Sequence, residues 1–189
     1  MYFTMFHKIR TLFLAYLILT AISGGQKATA GAEENKALVH RFIEEIVNQQ
    51  NLDAVDEVFT PDFVFHDPGF PGVDSAEAFK QILAAVLAGF PDDRFSIDDM
   101  ILEGDKAAIR YRAIATQLGE FGGIPPTGKR VNVTAMFIFH FAGGKIKEGW
   151  QVFDGLGLLH QLGVVPPPVS PGGVLDKPIE VTGNPGTPE

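Results

Sequence analysis

Four long stretches of alternating apolar and polar residues dominate the second half of the chain and restrict what it can become. Phe95 to Leu102 turns at Glu103-Gly104-Asp105 into Lys106 to Leu118, a loop containing Pro125-Pro126 leads to Val131 to Phe141, and Gly143-Gly144 leads to Ile146 to Asp154. Strands of ten or more residues are long, and a sheet built from them twists and curls. Such a sheet needs its hollow side filled.

The filling lies upstream. Leu38, Val39, Phe42, Ile43, Ile46 and Val47 recur at steps of three and four and predict an amphipathic helix from about Asn35 to Gln50. A short second helix buries Leu52, Val55, Val58 and Phe59 and stops at Thr60-Pro61, because the residue before a proline is pushed out of the helical region. Asp62 to His66 reads as a strand, ended by the turn Asp67-Pro68-Gly69. A third helix opens with Asp74 and Glu77 in capping-box spacing and buries Phe79, Ile82, Leu83, Val86, Leu87 and Phe90. The order is α+β. The expected architecture is a cone-shaped barrel, a strongly curved antiparallel sheet with three helices from the N-terminal half on its concave face and a blind pocket between them.

The termini read differently from this domain. His7, Lys8 and Arg10, an apolar run from Thr11 to Ile22 and the small-x-small triplet Ala28-Thr29-Ala30 predict a signal peptide over residues 1–30 and an exported, periplasmic or secreted product. A spanning helix needs about 20 apolar residues, and Gly24, Gly25, Gln26 and Lys27 end the run too early, so no stable membrane insertion is expected after cleavage. Residues 31–165 form the domain. From Pro166 to Glu189 the chain is rich in Pro, Gly and Val, a composition that predicts a flexible tail.

Composition excludes several functions. The formal net charge is −8, and the leader holds cations but no acid, so the exported remainder is more acidic still. Nucleic acid is not an expected partner, since phosphate backbones are bound by basic stripes. There is no cysteine, which rules out thiol catalysis and cysteine-ligated zinc. Neither H-x-H nor H-E-x-x-H occurs, so no metal is expected, and no cofactor is either.

The strand faces say which residues meet a ligand. Along Val131 to Phe141 the odd positions Val133, Ala135, Phe137, Phe139 and Phe141 are all apolar, so odd is inward. The next strand is ambiguous. An odd-numbered loop brings Gly149, Gln151 and Phe153 to the same side, whereas a two-residue turn selects Glu148, Trp150 and Val152, because a slip of one residue reverses every side chain.

Ile124-Pro125-Pro126-Thr127-Gly128, the G-K-I-x-E-x-W run from Gly144 to Trp150, Asp154, and Gln161-Leu162-Gly163 together resemble the SnoaL-like polyketide and ester cyclases of the nuclear-transport-factor-2-like superfold. The resemblance covers about Asn35 to Gly163. It implies the conical α+β fold and favours Gln151 inward, which leaves Met136, Ile138, Trp150 and Val152 as an apolar outer face. Such a face needs a cover, and a homodimer is expected.

The resemblance also implies chemistry that these residues do not carry over. An inward aspartate does acid/base work in the family's polyketide cyclases, and its position here is Gln151; nearby polar positions fall on Ala135 and Phe137, and a histidine before the I-P-P-T-G loop is Gln117. Glutamine accepts no proton in this pH range. The remaining catalytic candidates are His66, Asp67 and Asp154. His66 beside Asp67 suits a general base oriented by a carboxylate, although Asp67 before Pro68-Gly69 is equally turn chemistry. Asp154 serves either as a base or as the cap of a following helix. Tyr111, Gln117, Ala135, Phe137, Phe139, Gln151 and Phe153 are the expected binding residues for a small apolar molecule.

Three functions fit these residues. One is a cyclase, isomerase or hydratase of a small apolar carbonyl compound; another is a non-catalytic carrier or sensor with Gln117 and Gln151 as neutral hydrogen-bonders. The third resembles the steroid isomerases of the same superfold, which need an inward tyrosine and a carboxylic acid. Tyr111 is the one tyrosine outside the leader.

Overall fold

The computed structural model of the protein describes residues 31–166. The expected leader, residues 1–30, and the greater part of the expected tail, beyond Pro166, lie outside the described residues. The first helix, α1, spans residues 31–48, and its last part, Phe42–Asn48, is wound as a π-helix. Val39, Phe42, Ile43, Ile46 and Val47 are all buried along it, as their spacing predicts. A 3₁₀ turn, Leu52–Ala54, leads into the short α2, Val55–Val58. Strand β1 then runs from Phe59 to His66.

Phe59 ends no helix but begins the strand, and Pro61 lies inside it. Proline has no N–H to donate, so it is tolerated only at an edge or an irregularity. β1 is an edge strand, and its register breaks between Phe59 and Val64. Helix α3, Ala76–Gly89, is capped by Ser75, whose hydroxyl accepts from the Ala78 amide at 3.2 Å, and not by the Asp74–Glu77 box.

The four long strands are β2, Arg94–Glu103; β3, Lys106–Thr116; β4, Arg130–Ala142; and β5, Lys145–Phe153. The sheet order is β1-β5-β4-β3-β2, with β1 parallel to β5 and the remaining neighbours antiparallel. The expected barrel does not close. β1 and β2 stay as separate edges, because α1 and α3 fill the concave side between them with Phe42, Phe79 and their neighbours. Phe42 alone meets Phe59, Phe79, Phe137 and Phe139 with ring centroids 5.5–6.1 Å apart. Rings at such spacing give both apolar burial and favourable edge contacts. Helix α4, Gly155–Leu162, shuts the other end, where Leu158 and Leu162 pack with Phe90, Val131 and Val133.

The β4–β5 hairpin settles the open question of register by an unforeseen device. Gly143 and Gly144 both have positive φ, 59° and 74°, and Ala142 pairs Lys145, so the turn has two residues. That turn alone would put even positions inward, and Ile146 is indeed fully buried. The register then shifts: His140 pairs Glu148, and Phe141 pairs Ile146. Lys147 is the extra residue of a bulge, which restores Gly149, Gln151 and Phe153 to the inner side. Met136, Ile138 and Val152 consequently face out, 52%, 46% and 68% exposed.

Candidate functional site

An inner cavity of about 100 Å³ lies between the phenylalanine core and the cluster around α4. Its walls are apolar except for Asp93, Tyr111 and Gln151. The Tyr111 ring is fixed between Phe95 and Phe137, at centroid distances of 4.6 and 5.4 Å. Gln151 Nε2 donates to Tyr111 Oη at 3.0 Å. The phenol therefore receives one hydrogen bond and keeps its own proton to give, with no acceptor for it among the described residues. Burial, followed by the nearby charges of Asp93 and Asp67, raises the Tyr111 pKa, so the hydroxyl stays a neutral donor.

Asp93 is only 4% exposed, and its Oδ1 has no hydrogen-bond partner among the described residues. The alternation of β2 explains its direction: Phe95 and Ile97 face in, and stepping back two residues puts Asp93 on the same side. Asp92 faces out, where Oδ1 accepts from the Thr116 amide at 2.6 Å and Oδ2 from the Thr116 hydroxyl at 2.8 Å. The junction is held from α1 too. Gln50 Nε2 donates to the Pro91 carbonyl at 2.7 Å, Asn48 exchanges two hydrogen bonds with the backbone of Phe95, and Arg94 reaches the Asn48 carbonyl. Burial pushes the Asp93 carboxyl up to about 7, with the Asp92 charge adding to it and the Arg94 amide and guanidinium opposing.

A second, outer cleft of about 430 Å³ opens where β1 ends and the 67–72 loop passes β5. Phe70 and Gln151 belong to the walls of both spaces. Asp67 lies in this cleft, 6% exposed. Its Oδ1 accepts from the Gly69 amide at 2.6 Å, the expected turn, while Oδ2 has no partner among the described residues. Burial raises its pKa against the opposing Gly69 amide. Among the described residues, no three His, Cys, Asp or Glu side chains come together as a metal site.

The fold agrees with the comparisons. A family model described as SnoaL-like polyketide cyclase matches residues 37–162. The chain belongs to the SnoaL-like polyketide cyclase family. Among solved structures it is similar to TsrD from Streptomyces laurentii, at 26% identity and a TM-score of 0.65, covering 70% of this chain and 97% of that one. A proposed SnoaL-like polyketide cyclase from Jannaschia sp. CCS1 gives 27% identity and a TM-score of 0.65, with coverage of 71% and 95%. AclR, a proposed hydroxylase from Streptomyces galilaeus, gives 29% identity and a TM-score of 0.65, with coverage of 73% and 86%. No curated protein matches the chain at a significant level.

Within this SnoaL-like domain the candidates from the sequence divide sharply. Tyr111, Ala135, Gln151 and Phe153 line the inner cavity. Phe137 and Phe139 are buried in the phenylalanine core and do not line it. Gln117 is wholly buried but occupied: Nε2 donates to the Ile124 carbonyl at 3.1 Å, and Oε1 accepts from the Thr127 hydroxyl at 2.7 Å. It braces the I-P-P-T-G loop instead of facing a ligand. Asp154 caps α4, its Oδ1 accepting from the Gly157 amide at 2.8 Å, on the exposed side of the chain.

His66 is on the wrong face for the inner cavity. Phe63 and Phe65 point in, so His66 points out, stacks on Trp150 at 4.8 Å and meets Glu148 Oε1 at 2.9 Å. It touches only the outer cleft. Asp93 was the residue hidden from the sequence. Pro91-Asp92-Asp93 between a helix and a strand has the composition of an ordinary turn. The signal that finds it is the β2 alternation carried back across that turn.

Proposed function

We propose that the protein binds a small apolar carbonyl compound and catalyses cofactor-independent proton transfer next to the carbonyl, in the manner of a cyclase or isomerase. The observation that carries this reading is the Tyr111–Gln151 pair in an otherwise apolar wall. A hydroxyl that already accepts from Gln151 is polarised toward donating, and in a dry site such a bond is stronger than in water. The inner cavity admits only the reacting end of a ligand, and the outer cleft that shares Phe70 and Gln151 with it takes the body. Family membership and the neighbouring polyketide cyclases support the reaction class. The leader supports action outside the cytoplasm by a mature chain that begins at Gly31.

A carrier function is the competing reading, favoured by one observation: glutamine stands at the family's acid/base position. Both readings require Tyr111 to hold the carbonyl oxygen. Binding of 2-indanone, followed by calorimetry, should weaken about 5- to 20-fold in Tyr111→Phe, the loss expected for one buried hydrogen bond. Equal affinity in the two proteins, or no saturable binding by the parent, would remove the carbonyl from this cavity.

A further inference from the structure

Asp93 is an expensive residue to keep. A buried carboxyl with an oxygen lacking any partner costs free energy, and the turn that carries it is pinned by Thr116, Gln50 and Asn48 so that it cannot swing out to water. None of those contacts uses the Asp93 side chain. The group shares an apolar cavity with one hydrogen-bond donor of unspent capacity, Tyr111, and with the glutamine that replaces the family's acid.

We propose that Asp93 is the general base of this site, a carboxylate relocated from β5 to the α3–β2 junction, and that its substrates are enolisable ketones. This rests on the carbonyl reading of the cavity. The Asp93 carboxylate removes a proton from the carbon next to the carbonyl: the C–H bond breaks, an O–H bond forms on Asp93, and the electron pair moves into a new C=C bond. The carbonyl oxygen becomes an enolate oxygen that receives the Tyr111 hydrogen bond. Return of the proton to the same carbon gives exchange, and return to a conjugated carbon gives isomerisation. Attack of the enolate carbon on a second carbonyl closes a ring, the new alkoxide taking the proton from Asp93. Each route conserves atoms and electrons without an oxidant or reductant.

Burial poises this carboxyl near neutrality, where a base is both ionised and strong enough to act. Asp92 and Arg94 flank it on its own turn, Tyr111 shares the cavity with it from β3, and Asp67 of the 67–72 loop acts on the same Tyr111 from the outer cleft. Among the cavity walls only Asp93 and Tyr111 titrate in solution.

The test is deuterium incorporation into 2-indanone in D₂O, read by NMR with the mature protein. The parent should exchange it above the buffer rate, with kcat/KM rising with pH and levelling above about 7. Asp93→Asn should lower kcat at least about 100-fold with KM changed less than about 3-fold, and should lose the pH profile; Asp93→Glu should restore part of the rate. Circular dichroism checks that both variants fold. Binding of 2-indanone without exchange, or an Asp93→Asn variant that exchanges like the parent, overturns the assignment of Asp93 and leaves the carbonyl site standing. Absence of binding overturns the site itself.

Discussion

Asp93 shows how one side chain can work against the fold that holds it. Its carboxyl takes up a proton near pH 7 in the folded chain and near 3.8 when exposed. Between those values the folded protein holds more protons than the unfolded one, so stability is drained as pH rises from about 4 to about 7. Asp93→Asn removes this drain. In urea unfolding, the stability of the variant relative to the parent should increase by about 2 to 4 kcal/mol between pH 4 and pH 8. A difference that stays constant across this range would mean that Asp93 titrates as an ordinary surface acid. Tyr111 makes no comparable contribution, because its raised pKa leaves it neutral throughout the same window.

At the scale of elements, the I-P-P-T-G loop is fixed from both ends, by Gln117 inside it and by the end of α3 beneath it. Leu118 and Gly119 both donate to the Gly89 carbonyl at 3.0 Å, and a Cβ on Gly119 would lie 2.1 Å from the Ala88 carbonyl oxygen. Gly119→Ala should therefore cost about 1 to 3 kcal/mol, measured as a lower midpoint in thermal unfolding. An unchanged midpoint would show that the loop does not need this close approach. Much of this level was legible in the sequence, because periods of 3.6 and 2 directly report burial: the stripe of α1 and the odd face of β4 were plain. The inward course of Gln151 was legible only through family resemblance, since the two-residue turn points the other way and the bulge at Lys147 leaves no compositional mark. The place of His66 at the outer cleft, away from the inner cavity, follows from parity with the inward Phe63 and Phe65. Asp93 leaves no mark of its own in the sequence, because two acids after a proline have the composition of a solvated turn.

On the scale of the whole molecule, the sheet has one face filled by helices and one face bare. Met136 pairs Val152 and Ile138 pairs Trp150, so four apolar side chains form a continuous patch on neighbouring strands. No described element covers it. A second copy on this patch is the expected cover, and Ile138→Glu should convert a dimer into a monomer in light scattering, as an unpaired buried charge costs about 3 to 5 kcal/mol. A monomeric parent at micromolar concentration would contradict this. The helix-filled face holds two spaces that share Phe70 and Gln151 as walls, with Asp93 and Tyr111 in the inner one and His66 and Asp67 in the outer one. A crystal structure of the mature protein with 2-indanone tests that arrangement most directly. The carbonyl oxygen should lie about 3 Å from Tyr111 Oη, with the adjacent carbon against the Asp93 carboxylate. Ligand found instead against Asp67 in the outer cleft, or on the bare sheet face, with the inner cavity unchanged, would contradict the account.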